Sequence, residues 1–327
     1  MKKSEKIRRK TGKMIAKNLI VLAALASVAF VGVFSWFAKI EKATASGLQA
    51  KCEAPPGIDV AIVAPGGEQP AANSSEWKTG TISLTEENYD FIKNLFLCEV
   101  TSDGQNFVSP VLSQSDGMAY VDTSATSISN WSTAIINEDY LSFDLYIRCT
   151  ESKTVYLDSS TSIAPLSNIT SASSPNYSKD TAVGAARFSV VDTGSTTNLL
   201  WIPAPNVYYD SENDKVIAGI TNKNNTYGMT YDGTTYNDGT YTHAYYDSQG
   251  TRHTVNSGSY FFANNSNNYT LGKTSNNQNF PLMTLSNQSG DYYVNHVRCN
   301  LWLEGEDSES RLSMVGGKFR MTLKLTL

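Results

Sequence analysis

The fold is decided most clearly by residues 140–158, which read YLSFDLYIRCTESKTVYLD. Apolar side chains occupy every second position from Leu141 to Cys149. The side chains between them are Ser142, Asp144, Tyr146 and Arg148. Because successive side chains of a strand point to opposite faces, this alternation predicts a strand with one buried face. A short turn at Glu151–Lys153 and a second apolar run at Thr154–Leu157 complete a predicted β-hairpin.

The same alternation returns near the C-terminus, in residues 292–306, YYVNHVRCNLWLEGE. One predicted face carries Val297, Cys299, Leu301 and Leu303, and the other carries His296, Arg298 and Trp302. Residues 319–325 alternate again, and shorter apolar runs at 58–63, 81–84, 186–190 and 199–202 predict further strands. Only residues 89–95, behind an N-cap candidate at Thr85, predict a short helix. The sequence therefore predicts an all-β domain, which we interpret as a β-sandwich.

Residues 205–290 differ in composition from the rest of this domain. They are rich in Asn, Gly, Ser, Thr and Tyr, and ten of the chain's 18 tyrosines lie between Tyr208 and Tyr269. Few aliphatic side chains are available for a large core, so we predict an insertion of short hairpins on the sandwich. The alternative is a contact surface for a carbohydrate or protein partner. Its candidate residues are Tyr231, Tyr236, Tyr241, Tyr245 and Tyr246.

The N-terminal leader contains a charge-free run at residues 19–38, LIVLAALASVAFVGVFSWFA. As a helix, this run would span roughly 30 Å, the thickness of a bilayer's hydrocarbon core. Eight Lys and Arg residues and one Glu precede it, which predicts export of everything after Ala38. Two outcomes remain open: cleavage between Trp36 and Ser46, or retention as a membrane anchor. The predicted division is a leader and signal or anchor helix at residues 1–45, followed by an extracellular domain at residues 46–327.

Charge and cysteine spacing limit the classes of function. The chain has a net charge of −5, and its first 17 residues carry +7, so the remainder carries about −12. A surface of that sign repels phosphate backbones, and we expect no nucleic-acid partner. The four cysteines lie far apart, without a CxxC pair: Cys52, Cys98, Cys149 and Cys299. Export permits disulfides between them, and buried free thiols are the other interpretation.

Catalytic motifs are absent from the sequence. The three histidines are His243, His253 and His296, and neither HExxH nor GxSxG occurs. We predict that His243 and His253 are solvated, and that Glu304, Glu306 and Asp307 form a solvated acidic turn. A metallopeptidase would require both of these histidines to converge with a carboxylate. We therefore expect no catalytic residues, no metal site and no cofactor.

Two segments carry a family resemblance. Residues 34–47, FSWFAKIEKATASG, resemble the export junction of the TasA and camelysin group of surface proteins from Gram-positive bacteria. The matching junction residues are Trp36, Phe37, Ala43, Ala45 and Ser46. Residues 297–307, VRCNLWLEGED, and the later GGKF at 316–319 resemble the ending of uncharacterised clostridial members.

The resemblance implies a jelly-roll-like sandwich on the cell surface and a dedicated, SipW-type signal peptidase. The resemblance further implies an assembly found in some relatives, in which donation of an N-terminal strand builds biofilm matrix fibres. Camelysin-type relatives have been described as metallopeptidases. Together with the absent motifs, it predicts a non-catalytic surface protein with a structural or interaction role. The alternatives are a carbohydrate- or host-binding adhesin and a camelysin-like metallopeptidase. The predicted partners are the membrane, through the N-terminal helix, and further copies of the chain.

Overall fold

A computed structural model describes residues 48–97, 99–110, 131–166, 181–192, 194, 196–204, 208–210, 215–217, 243–249, 251–255, 261–263, 269–274, 276–305 and 319–327. These residues form an all-β structure, which confirms the predicted class. The predicted short helix at residues 89–95 is only a 3₁₀ turn at Asp90–Ile92, and a second such turn lies at Thr181–Gly184. Within the described ranges, no helix is long and apolar enough to cross a membrane. The predicted helix at residues 19–38 lies outside them.

The strands are numbered in chain order. They are β1 Gln49–Glu53, β2 Asp59–Val63, β3 Thr81–Leu84, β4 Glu99–Ser102, β5 Phe107–Pro110, β6 Trp131–Thr133, β7 Leu141–Cys149, β8 Thr154–Leu157, β9 Ser162–Pro165, β10 Ala186–Val191, β11 Thr197–Ile202, β12 Tyr208–Asp210, β13 Lys215–Ile217, β14 His243–Tyr246, β15 Arg252–Val255, β16 Phe261–Ala263, β17 Phe280–Thr284, β18 Asn287–Ser289, β19 Tyr292–Glu304 and β20 Phe319–Thr326.

The first sheet has the strand order β17-β8-β20-β1-β3, and β9 pairs with the first half of β20. Strand β20 therefore lies beside β1, the first of the described strands, and the two run parallel, with Gln49 opposite Arg320 and Glu53 opposite Lys324. On its other side, β1 pairs antiparallel with β3. Buried and more exposed side chains alternate along β3, β8 and β9, as expected for a sheet with one solvated face.

The second sheet is built around β19, the longest described strand. Its main path is β2-β7-β19-β10-β11-β16. The ribbon β4-β5-β6 continues the sheet next to the first residue of β7: Leu301 of β19 pairs with Leu141 of β7, and the following Leu303 and Glu304 pair with β4. The short strand β18 forms a hairpin with the start of β19.

The two sheets enclose one hydrophobic core. From the first sheet it takes Cys52, Ile82, Leu157, Ile163, Met321 and Leu323, and from the second sheet Phe143, Leu145, Phe188, Trp201, Val297 and Leu301. The apolar phase predicted for residues 141–149, 297–303 and 321–325 therefore faces the core as expected. Removal of these side chains from water is the main stabilising contribution to such a fold.

The predicted hairpin between β7 and β8 is wrong. Strand β7 pairs with β2 and β19, whereas β8 pairs with β17 and β20 in the other sheet. The connection at residues 150–153 crosses from one sheet to the other, because both strands direct apolar side chains into the same core from opposite sides. Residues 205–290 contain the two-stranded ribbons β12–β13 and β14–β15, while β16 and β17 join the main sheets.

Candidate functional site on the outer face of the second sheet

The outer face of the second sheet, which points away from the core, carries a set of polar side chains in register. Asp144 lies opposite Arg298, Tyr146 opposite His296, and Ser142 opposite Asn300 across β7 and β19. We call these six residues, together with Arg148 and Asp59 of the β7–β2 pair, the polar ladder. The prediction of a single buried face is wrong for β7, whose residues are buried on both faces because distant loops cover the ladder.

The centre of the ladder is the ion pair between Asp144 and Arg298. The Arg298 Nε and Nη2 atoms donate to the two carboxylate oxygens of Asp144 at 2.8 and 3.1 Å. The backbone N–H of Gly66 donates to the same carboxylate at 2.6 Å. Only 2% of the Asp144 side chain is exposed, against 41% for Arg298. A buried carboxylate thus fixes the orientation of a guanidinium that solvent can reach.

His296 forms an aromatic platform with Tyr146 beside this ion pair. Their rings stack with centroids 4.3 Å apart, and the Tyr146 hydroxyl donates to the Gly67 carbonyl oxygen at 3.0 Å. Partial burial lowers the pKa of His296 below its usual value, and Arg298 lowers it further, while Asp144 acts in the opposite direction. The His296 ring is therefore mainly neutral at pH 7.

Arg148 occupies one end of the ladder and holds the loop at residues 64–78 against the sheet. Its Nε donates to Asp59 at 2.9 Å and its Nη1 to the Ala72 carbonyl oxygen at 2.6 Å. The guanidinium lies between two aromatic rings, 4.3 Å from the centroid of Trp77 and 4.1 Å from that of Tyr292. This arrangement pairs and covers the charge, so its role is structural.

A neutral hydrogen-bond network continues the ladder towards β4. Ser142 Oγ donates to Asn300 Oδ1 at 2.7 Å, and Asn300 Nδ2 donates to Ser189 Oγ and to the Gly104 carbonyl oxygen. Ser189 Oγ donates to the same carbonyl at 2.6 Å. Gly104 approaches this closely because it has a φ of +95° and lacks a side chain.

Arg298 and His296 are the part of the ladder that can meet a ligand. Arg298 keeps its charge, because the hydrogen bond to Asp144 raises its already high pKa. A fixed guanidinium beside an aromatic ring can donate hydrogen bonds to carboxylate, phosphate or hydroxyl groups. The sequence predicts that both side chains share the polar face, but their cross-strand partners cannot be identified without the register.

Beyond the neutral network lies a buried cluster that corrects two predictions. His243 and Glu304, both predicted to be solvated, have no exposed surface. Glu304 accepts a hydrogen bond from Trp302 Nε1 at 3.0 Å, and its Oε2 lies 3.8 Å from His243 Nε2. They are buried because the ribbon β14–β15 packs on β4, next to the end of β19. Glu306 and Asp307 lie outside the described residues.

The second insertion histidine, His253, makes different contacts. Its Nε2 lies 2.8 Å from Asp247 Oδ2, and its ring stacks on Tyr245. Tyr245 also stacks with His243. The two histidines face different carboxylates, because His243 lies 3.8 Å from Glu304 and His253 lies 2.8 Å from Asp247. In the part of the chain that the structure describes, no three His, Cys, Asp or Glu side chains are grouped as a metal site would require.

The other predicted site residues are described only in part. Tyr245 and Tyr246 lie on β14 and are half-buried, and the Tyr246 N–H donates to Thr101 Oγ1 at 3.0 Å. The predicted tyrosines Tyr231, Tyr236 and Tyr241 lie outside the described residues. So do the predicted junction residues Trp36, Phe37, Ala43, Ala45 and Ser46.

Three of the four cysteines are buried free thiols. Cys52, Cys149 and Cys299 are unbridged, and Cys98 lies outside the described ranges. Burial raises the pKa of Cys52 to about 12 and that of Cys299 well above its usual value. Both groups therefore stay protonated at neutral pH, which makes them poor nucleophiles.

Comparison with known proteins finds no matching family model, no similar curated protein and no similar solved structure.

Proposed function

We propose that this chain is an exported, non-catalytic cell-surface protein with a structural or interaction role, and that copies assemble by exchanging strand β1. The observation that carries the proposal is the place of β1. The first described strand after the leader lies between β20 and β3 inside the first sheet. A strand supplied by a second copy would find the same two partners there.

The interactions of β1 favour exchange. Its buried side chains within the sheet are the small residues Ala50 and Cys52. Its outward side chains form surface ion pairs, from Glu53 to Lys51 at 2.6 Å and to Lys324 at 3.7 Å. The main attachment is therefore backbone pairing on both sides. Backbone pairing does not depend on which copy supplies the strand, so exchange would cost little in contacts.

The connection behind β1 supports the same proposal. Residues 54–58, APPGI, lead directly into β2 of the second sheet. In the structure this linker forms a turn, in which the Ile58 N–H donates to the Pro55 carbonyl oxygen at 3.4 Å and Gly57 has a φ of +93°. The prolines restrict the other conformations that the linker can adopt. Opening this turn would release β1 while β2 keeps its pairing with β7, and short connecting loops favour exchange of this kind.

The proposed setting is the cell surface. The basic leader and the uncharged run at residues 19–38 support export, with membrane attachment if the leader is retained. The two sheets around one core support a jelly-roll-like sandwich, and the negative charge beyond the leader supports a role without nucleic acid.

The test is to recover the mature protein from the cells that make it, and to determine its N-terminus, membrane partition and native mass. We expect a new terminus between Trp36 and Ser46, with protein in the medium and in high-mass polymer. An intact leader in the membrane fraction with monomeric protein would retain the surface location and contradict assembly. An intact leader in the cytosol would contradict export.

A second candidate function is glycan binding by an adhesin, which the exposed and fixed Arg298 favours. A sugar could stack on His296 while its hydroxyl or carboxylate groups accept hydrogen bonds from the guanidinium. Binding of acidic and neutral oligosaccharides to the full-length protein and to Arg298→Gln tests this candidate. Equal binding by both proteins would contradict it.

A further inference from the structure

The ribbon β14–β15 is attached to β4 by a histidine. His243 Nε2 lies 2.6 Å from the Ser102 carbonyl oxygen, and the Tyr246 N–H donates to Thr101 Oγ1 at 3.0 Å. The His243 ring is fully buried, with its centroid 6.2 Å from that of Trp302 in an edge-to-face arrangement. Burial of this ring therefore accompanies docking of the ribbon.

The contact with Ser102 determines the tautomer of the neutral ring. A carbonyl oxygen can only accept a hydrogen bond, so Nε2 must carry the proton of the neutral imidazole. Nδ1 is then the free base, and it is buried without a hydrogen-bond partner. A second proton would have to bind Nδ1. The ring would then be positively charged and buried, with no hydrogen-bond acceptor for the Nδ1 proton.

The surrounding groups disfavour that second proton. Burial lowers the pKa of His243 most, repulsion from Arg187 of β10 lowers it too, and the hydrogen bond to Ser102 raises it. The net pKa is about 3. The Glu304 carboxylate of β19 lies 3.8 Å from Nε2 and would favour the charged ring, yet the net shift of the His243 pKa is downward. Strand β4 presents neutral Thr101 and Ser102 here, and His253 of β15 lies beyond the Tyr245 ring.

We propose that the ribbon β14–β15 is an acid-released cover, which leaves β4 when His243 takes up a proton and thereby exposes the surface around Trp302. The proton is accepted easily only in the released state, where water solvates the imidazolium. Mild acid would thus change the surface that this domain presents to a partner. The proposal does not depend on strand exchange or on export.

The direction and size of the effect follow from proton linkage. The histidine is neutral when docked and has its usual pKa, about 6.5, when released, so docking is strongest above pH 6.5 and weakens as pH falls below it. Between pH 7 and pH 5, the equilibrium constant for release should rise roughly 25-fold. Asp247 does not titrate in this interval, because its hydrogen bond to His253 holds its pKa below the usual value.

The test is hydrogen exchange on the full-length protein at pH 7 and pH 5, expressed as protection factors so that the intrinsic pH dependence of exchange is removed. We expect the amides of residues 243–246 and 252–255 to lose roughly 25-fold in protection, while the amides of β7 remain protected. His243→Gln keeps a donor for Ser102 and cannot titrate, so its protection should not depend on pH. His253→Gln, in the same ribbon, is the matched control and should behave as the wild type.

A ring titration of the wild-type protein by ¹⁵N NMR makes the test independent of how the variants fold. We expect the His243 signal of the docked state to stay that of the Nε2–H tautomer as the ribbon loses protection. Titration of His243 near pH 6.5 with the ribbon still protected would overturn the proposal. Protection that does not change with pH in the wild type, or that falls equally in His243→Gln, would overturn it too.

Discussion

The two sheets bury the faces that they turn towards the core in the same way, but their outer faces differ in exposure. In the first sheet, most outward side chains are at least partly exposed, with Thr322 of β20 as a buried exception, and the ion pairs of Glu53 with Lys51 and Lys324 lie on the surface. In the second sheet, the outward side chains of β7 and β10 are buried, and charged groups such as Asp144 have fixed partners. A buried charge tolerates only one arrangement of neighbours, whereas a surface ion pair tolerates many. We therefore regard the second sheet as the fixed frame and the first as the part that can exchange a strand.

Removal of the carboxylate at the centre of the ladder should have the largest effect. Asp144→Ala leaves the Arg298 guanidinium and the Gly66 N–H without their acceptor, and we expect a loss of about 3 kcal/mol in the free energy of unfolding. Urea denaturation measures it. The double variant Asp144→Ala/Arg298→Ala should recover part of the loss, because it removes the unpaired charge. A loss below about 1 kcal/mol for the single variant would show that the ladder is not fixed in this way.

Replacement of Arg148 should have the second-largest effect on stability. Arg148→Met removes the ion pair with Asp59, the hydrogen bond to Ala72 and the stacking between Trp77 and Tyr292, at an expected cost of about 2 kcal/mol. Hydrogen exchange should also show faster opening of residues 64–78. Arg148→Lys is the matched control, since lysine keeps the charge but lacks the flat, forked guanidinium. If Arg148→Lys is as stable as the wild type, the contribution of Arg148 comes from charge pairing alone and not from its stacking.

Alanine variants of two glycines allow the two sheets to be compared directly. Gly104, over the second sheet, and Gly80, before β3 of the first, have φ values of +95° and +74°. A Cβ at Gly104 would lie 3.2 Å from Ser189 Cβ, whereas a Cβ at Gly80 would meet nothing within 4 Å. Both alanine variants carry the backbone cost, and Gly104→Ala should lose about 1 kcal/mol more in thermal or urea unfolding. Equal losses of stability for the two variants would mean that the residues around Ser189 shift easily to accommodate the added methyl group.

The smallest effect is expected in the first sheet. Glu53→Gln weakens its contacts with Lys51 and Lys324 and should cost no more than about 0.5 kcal/mol at pH 7. The hydrogen bond from Lys51 lowers the pKa of Glu53, so this contribution is present at neutral pH and disappears as pH falls through the lowered pKa. Stability curves of both proteins should therefore converge in acid. A cost approaching that of Asp144→Ala would remove the contrast between the sheets.

Local sequence patterns identify the strands and their core faces but not their partners. The alternation of Val297, Cys299 and Leu301 correctly places them in the core, because the period of a strand is a local property. The same pattern does not show that β7 and β8 belong to different sheets, since partner choice depends on the whole topology. His243 illustrates the same limit at the candidate site. Its polar neighbours in sequence predict a solvated ring, but its hydrogen-bond partner Ser102 lies 141 residues away.

The central claim, that β1 exchanges between copies, can be tested by a disulfide across β1 and β3. Lys51 and Ser83 lie opposite each other in antiparallel register, and both point away from the core. Facing positions of this kind are close enough for a disulfide. The variant Lys51→Cys/Ser83→Cys, made in a Cys98→Ser background and oxidised under native conditions, is analysed on a denaturing, non-reducing gel. The single-cysteine variants, which can form dimers at most, are the controls.

Exchange predicts a series of covalent multimers for the double variant, because each β1 would be joined to the β3 of another copy. A band at the monomer position alone, with free thiols consumed, would show that each chain keeps its own β1 and would contradict the account.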